Sequence, residues 1–342
     1  MMKVMTVIGA SDADKLGITL AHEHLFIDLR NQFKGSEEAS HEREPFAEEN
    51  LEKLRTDPYA VRDNLVLNDV EISVDEVQKF KASGGNSIVD CTSNGIGRCP
   101  MKLREVAVRT GVNIIAGSGY YTHDTHPPEM GVWRVEEIAD RMLKDFFDGI
   151  DGTDVKAGVI GEIGTSNPVH PDENKNLIAA GIVFRQTGAA VHVHTDPWGK
   201  TGLGISDLLI KNRVDPGRTV ICHTDVMLDM NYIRSLLKRG VLVEFDNFGK
   251  EFHPDESHVF ARDSERIQAV KILADEGYEK QILITNDICL KVMLHYYGGS
   301  GYDNILANVV PAMKKQGIGE DLINLFLLDN PRRLYEGIKI IS

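Results

Sequence analysis

Short apolar or β-branched runs alternate with helix-like stretches along almost the whole chain, and this alternation limits the fold more than any other feature. The runs fall at 18–25, 86–90, 112–117, 157–161, 190–194, 219–223, 241–246 and 282–287. Between them, 135–147, 174–186, 229–238 and 266–276 carry apolar residues at helical spacing. Gly111, Gly188, Gly240 and Gly277 stand where a helical stretch gives way to the next run, as helix-ending residues do. Strand and helix in alternation imply parallel strands joined by helical crossovers. Eight such units predict an α/β fold, the (β/α)8 TIM barrel. The alternative is a doubly wound open sheet, which normally carries a Gly-x-Gly-x-x-Gly fingerprint after its first strand; this chain has His22 and His24 there.

We expect one barrel domain over residues 1–342. Residues 1–17 would form a hairpin that closes the barrel bottom. The one long interruption, 30–73, is dense in Glu and Arg and reads as a loop with short helices near the barrel mouth, ahead of a helix starting near Val74. The 42% apolar and 26% charged fractions are those of a globular protein with a full core. No apolar run reaches the length of about 20 residues that spans a bilayer. The start, Met1 to Met5, lacks a signal-peptide layout, so the expected compartment is the cytoplasm, with no membrane partner. Cys91, Cys99, Cys222 and Cys289 show no Cys-x-x-Cys pairing and are expected to be reduced thiols. Acidic residues outnumber basic ones 52 to 38, and the net charge of −14 argues against nucleic acid. The expected partner is a small-molecule substrate, with a homodimer left open.

The chemistry-bearing residues gather at the ends of the runs. On a strand, His22 and His24 share one face and Glu23 takes the other; on a helix the two imidazoles would be splayed about 200° apart. Glu162 follows the fourth run, His194 ends the fifth, His223 the sixth and Asp287 the eighth. In a TIM barrel, strand ends converge on one site. Histidine with carboxylate suits zinc, and also manganese, iron, cobalt or nickel. Without a cation, Glu162 and Asp287 would lie buried among histidines, which is costly unless they pair as ions.

Other residues admit two readings. His192 shares the face of His194 one layer deeper, as a supporting partner or a ligand. Cys222, alternating with His223, should face the outer helices as a small apolar residue. Tyr120, Tyr121, His123 and His126 follow the third run, where they either wall a pocket or lie on a solvated loop. Lys250, His253, Arg262 and Arg266 follow the seventh, where barrels commonly bind phosphate; Lys250 and Arg266 are candidates to hold an anionic group, or are simply solvated. Gly298-Gly299-Ser300-Gly301 reads as a turn before the last helix or an anion cradle.

At these residues the sequence resembles the phosphotriesterase family of the amidohydrolase superfamily. The resemblance rests on Gly17-Ile18-Thr19-Leu20-Ala21-His22-Glu23-His24, on Gly158-Val159-Ile160-Gly161-Glu162-Ile163-Gly164, on His194-Thr195, Cys222-His223-Thr224-Asp225 and Asn286-Asp287-Ile288-Cys289. The stretch from Tyr297 to Pro311 is similar to the phosphotriesterase-homology and phosphotriesterase-related subgroup. The resemblance implies two divalent cations, zinc first. His22, His24 and Asp287 would hold the more buried one and His194 and His223 the more exposed one, with a carboxylate and a hydroxide between them. In phosphotriesterase proper that carboxylate is a carboxylated lysine; here Glu162 stands in its place, as in the homology subgroup. The shared hydroxide would attack the substrate, and Asp287 would carry the proton to the leaving group. The expected activity is hydrolysis of a small, anionic ester or lactone, including sugar lactones and phosphoesters. The alternative is an amidohydrolase acting on an N-acyl amino acid or N-acyl taurine. A lyase would need a carbanion-stabilising device, and no lysine ends a strand to supply a Schiff base. A non-catalytic binding protein would have no need of all six ligands.

Overall fold

The computed structural model describes residues 2–33 and 46–339. Its strands are β1 (Thr19–Glu23), β2 (Ser87–Asp90), β3 (Asn113–Ser118), β4 (Val159–Gly164), β5 (Val191–His194), β6 (Thr219–Ile221), β7 (Leu242–Phe245) and β8 (Ile282–Ile284). Each pairs in parallel with the next in chain order. The seam between β8 and β1 is closed at the mouth, where Asp287 N–H donates to the His22 carbonyl and His24 N–H to that of Ile288, both at 3.2 Å. The molecule is a (β/α)8 TIM barrel.

Helices α1 (Val70–Ala82), α2 (Pro100–Thr110), α3 (Val135–Phe147), α4 (Pro171–Thr187), α5 (Gly202–Lys211), α6 (Met230–Leu237) and α7 (Asp263–Asp275) make the crossovers. The first starts at Val70 and not near Val74. The Asp69 carboxylate accepts the N–H groups of Glu71 and Ile72, satisfying donors that an uncapped start would leave bare. Gly111 and Gly188 close α2 and α4 with φ of 71° and 67°, a left-handed turn that a Cβ would strain. No helix among the described residues is long and apolar enough to cross a membrane.

Strand alternation sorts the side chains into two cores. Leu20, Ile88, Ile114, Ile160, Ile221 and Val243 pack outward against the helices. Ala21, Val89, Ile115, Val159, Val220 and Leu242 fill the barrel. Lys3–Thr6 and Gly9–Asp12 form an antiparallel hairpin at the barrel floor, and its Val4 joins the inner core with Leu334 and Tyr335 of the C-terminal helix Asn330–Tyr335. At the other end, the described part of 30–73 folds as short helical turns, the helix Leu51–Thr56 and a two-residue strand, Val66–Leu67, paired with Ile27–Asp28. It lies at the mouth: the Thr56 carbonyl accepts the N–H of His253, from the loop after β7, at 2.9 Å.

Candidate metal centre

Strand β4 carries an irregularity that sets the centre. Ile160 pairs with Val191 but Ile163 with Val193, so β4 spends an extra residue there. That residue is Gly161, with φ of 119°; a Cβ on it would meet the His192 carbonyl oxygen at 2.3 Å. The bulge turns Glu162 into the barrel while Ile160 and Ile163 both face out.

Four imidazoles surround the Glu162 carboxylate. Oε1 lies 3.4 Å from His24 Nε2, and Oε2 lies 3.5 Å from both His22 Nε2 and His194 Nδ1 and 3.7 Å from His223 Nε2. Asp287 Oδ1 stands 3.1 Å from His24 Nε2 and 3.7 Å from His22 Nε2. The six residues proposed as ligands thus come together from five strand ends. His22 Nε2 and Glu162 Oε2 are sealed from solvent and have no hydrogen-bond partner. Bare donors buried face to face are costly, and a divalent cation would satisfy both. The donors fall into two overlapping groups, His22, His24, Glu162 and Glu162, His194, His223, each within 4.8 Å. Glu162 belongs to both.

Two of the six depend on left-handed backbone, His223 with φ of 61° and Asp287 with φ of 50°. Residues without glycine's freedom hold such angles only where their surroundings fix them. Strand alternation runs on through residue 222 and is broken only at His223, which corrects the expected place of Cys222. Val220 points in, Ile221 out and Cys222 in again, so the thiol lies inside the barrel and not against the helices. His223 would then face out, but its left-handed turn swings it back to the mouth.

Three of the rings are held from behind: Thr92 Oγ1 meets His24 Nδ1 at 2.9 Å, Glu244 Oε2 meets His22 Nδ1 at 3.0 Å and Asp246 Oδ2 meets His223 Nδ1 at 3.1 Å. At His194 the Tyr121 hydroxyl instead meets Nδ1 at 3.1 Å, the same nitrogen that faces Glu162 and lies 2.8 Å from His223 Nε2. Sequence reasoning passed over Glu244 and Asp246, although they alternate with Leu242 on the inward face of β7. His192 points away from Glu162, its Nε2 bonded to the Tyr335 hydroxyl at 2.9 Å. Burial pushes the Glu162 carboxyl up, but His22, His194 and His223 together hold it well below the usual carboxylate range. Burial likewise opposes a charged His223, yet Asp246 and Glu162 raise it to about 10.

A cavity opens above the six residues. Lys250 lines it and is the one lysine or arginine among its described lining residues. Its ammonium contacts Asp287 Oδ2. Burial raises the Asp287 carboxyl, and the Lys250 ammonium and His24 outweigh that and hold it low. Arg266, expected beside Lys250, does not reach the cavity. Its side chain is fully buried, 3.0 Å from Asp225 and 2.8 Å from Asp263, and it donates to the Lys250 carbonyl at 3.0 Å. Two carboxylates drew it beneath the loop. Tyr121 walls the cavity, whereas Tyr120 lines a separate hollow beside Arg141, His123 stacks on His170 and His126 bonds the Tyr121 carbonyl. Gly298 to Gly301 border another hollow with Arg55 and Asn304. Tyr59, from the long segment after β1, faces the cavity above the six residues; that segment has no period to announce it.

Comparison with known proteins fits this arrangement. A model described as the phosphotriesterase family matches residues 2–335. The N-acetyltaurine hydrolase of Pongo abelii is 37% identical over 341 residues, covering 97% of each chain. The crystal structure of a resiniferatoxin-binding protein from Rhodobacter sphaeroides matches with a TM-score of 0.94 at 35% identity, over 97% of this chain and 94% of that one. A lactonase from Listeria monocytogenes matches with a TM-score of 0.79 at 26% identity, over 97% and 98%. The chain belongs to the phosphotriesterase family and is a hydrolase.

Proposed function

We propose that the protein is a binuclear metal-dependent hydrolase whose substrate is a small N-acyl amide bearing an acid group on its amine half, the class of N-acetyltaurine and N-acyl amino acids. The observation that carries the metal reading is Glu162, whose Oε1 reaches His24 and whose Oε2 reaches His22, His194 and His223, while Oε2 and His22 Nε2 lack hydrogen-bond partners. His22, His24 and Asp287 would hold one cation, His194 and His223 the other, and Glu162 both. Zinc suits these donors first, with manganese, cobalt, nickel and iron as further candidates. The cations, when bound, supply an activated water and polarise the carbonyl under attack.

The remaining work falls to the chain. Asp287 turns one oxygen to His24 and the other to Lys250, so it sits between the hydrolytic centre and the cavity. As the water oxygen adds to the carbonyl carbon, Asp287 takes its proton; when the carbon–nitrogen bond breaks, the proton passes to the departing amine. Lys250 stands where an acid group on that amine can reach it. In a chain of net charge −14, this buried ammonium is the local device for attracting an anion. Tyr121 hydrogen-bonds His194 Nδ1 and walls the cavity beside it.

The relatives named N-acetyltaurine hydrolase move the amide reading ahead of the ester or lactone reading. The lactonase structure keeps the latter as the second reading, because the same centre attacks either carbonyl. A screen of the metal-loaded protein against N-acetyltaurine, N-acyl amino acids, lactones, sugar-lactone phosphates and aryl phosphoesters separates them. The proposal expects the highest kcat/KM on an acid-bearing amide. Turnover of lactones alone would replace it with the second reading, and full turnover after metal removal would overturn the binuclear mechanism.

A further inference from the structure

A second polar layer lies inside the barrel beneath the six residues. The Glu244 carboxylate on β7 is fully buried, and its Oε2 is 3.0 Å from His22 Nδ1 and 3.6 Å from His192 Nδ1. His192 Nε2 meets the Tyr335 hydroxyl at 2.9 Å, and the two rings stack with 8° between their planes. The Tyr335 hydroxyl in turn donates to the Ala21 carbonyl at 3.0 Å. Ala21 precedes His22, and Tyr335 ends the helix that plugs the barrel floor.

Proton bookkeeping along this column assigns its direction. Tyr335 has one hydroxyl hydrogen, which goes to Ala21, so at His192 it accepts and His192 Nε2 carries a hydrogen. At His22, a carboxylate facing Nδ1 accepts only if Nδ1 carries the hydrogen. The lone pair of neutral His22 is then on Nε2, the atom that faces Glu162 and lacks any partner.

We infer that Glu244 is the positioning residue for His22, fixing the tautomer and ring angle that bind the more buried cation, and that Tyr335 supports His22 from the barrel floor through its hydrogen bond to the carbonyl of Ala21, the residue before it. This rests on the binuclear reading and adds a prediction that the reading lacks: a substitution in the C-terminal helix should weaken one of the two cation positions and spare the other. The six ligands alone give no reason for such asymmetry. Carboxylate partners behind ligating histidines typically contribute about 10- to 100-fold in metal affinity.

The test is zinc titration of the stripped full-length protein against a chelator of known affinity, for wild type, Glu244→Ala, Glu244→Gln and Tyr335→Phe. Wild type should take up two equivalents. In Glu244→Ala one equivalent should weaken by roughly 10- to 100-fold and the other should stay within a few-fold. Glu244→Gln should lose less, since its amide oxygen can still accept from Nδ1, and Tyr335→Phe should weaken the same equivalent in the same direction. Cobalt spectra should change in the band of that site alone. Thermal midpoints of the stripped proteins show whether a variant folds; if Glu244→Ala does not, the Gln and Phe variants decide. Unchanged affinities, or equal weakening of both equivalents, overturn the inference. So does a third equivalent lost in Glu244→Ala and in Cys222→Ala, because His22, His192, Cys222 and Glu244 lie within 4.8 Å and would then hold an ion of their own. Should wild type take up no zinc, the binuclear reading itself falls; if wild type binds two and the variants match it, only the inference falls.

Discussion

The Glu23 carboxylate brackets Asp287 from the side opposite the histidines: Oε1 accepts the N–H of Asn286 at 2.9 Å and Oε2 that of Ile288 at 2.8 Å. Oε1 also takes the Thr285 hydroxyl at 2.7 Å and the Asn286 side-chain amide at 3.0 Å. One buried side chain from β1 thus holds the turn after β8 that presents Asp287 in its left-handed conformation. Glu23→Ala would leave several buried donors bare. We expect roughly 2–4 kcal/mol less stability and a fall in kcat/KM from the displaced Asp287. Denaturant unfolding and steady-state kinetics check both, and wild-type values for each would show that the turn holds itself.

Glu162→Ala should release at least one cation and bring activity close to background, because both donor groups share that carboxylate. Glu162→Lys should recover part of the activity when bicarbonate is supplied, if carbon dioxide can rebuild the bridging carboxylate on the lysine. Metal analysis beside turnover measurements tests this; an alanine variant with full metal content and normal rates would make Glu162 a bystander.

Asp287→Asn should keep the fold and much of the metal while losing turnover. The carboxamide still offers an oxygen to the cation but cannot accept the proton of the attacking water. Rates within a few-fold of wild type would remove Asp287 from proton transfer.

Lys250→Ala should lower kcat/KM by about ten- to a hundredfold more for an acid-bearing substrate than for its neutral analogue, the range of a lost charge-assisted hydrogen bond. Arg266→Ala should behave differently. It leaves Asp225 buried without its cation, so the expected effect is a loss of stability of about 3–5 kcal/mol with little change in discrimination between the two substrates. Matched substrates and unfolding curves separate the two. Equal losses on charged and neutral substrates in Lys250→Ala would confine Lys250 to holding Asp287.

The barrel and the convergence of the six residues were legible because both follow from period. Strand alternation sets the facing of His22 and His24, and the position of each run sets which residues reach the mouth. What escaped depends on local departures from period or on distant pairing. The positive φ at His223 swings that side chain back to the mouth where alternation would turn it outward, leaving Cys222 the inward place, and no residue type at 222 or 223 announces it. Arg266 looks like a surface residue in the first turn of α7 until the fold brings Asp225 against it. Tyr59 lies in a stretch without repeating pattern, so only the closed mouth shows where it points. Glu244 and Asp246 are the exception: alternation in the run 241–246 puts both on the inward face, and only the folded barrel pairs them with His22 and His223.

Arg266 fastens the loop after β6, through Asp225, to the loop after β7, through Asp263 and the Lys250 carbonyl. This part of the rim therefore hangs from an anchor below the cavity and does not depend on the side chains that line it. Phe252 and Phe260 line the cavity from this rim, while Lys250 stands beside Asp287. A rim hung in this way separates what shapes the cavity from what clusters beneath it, so in a lineage of such barrels the two can change at different rates.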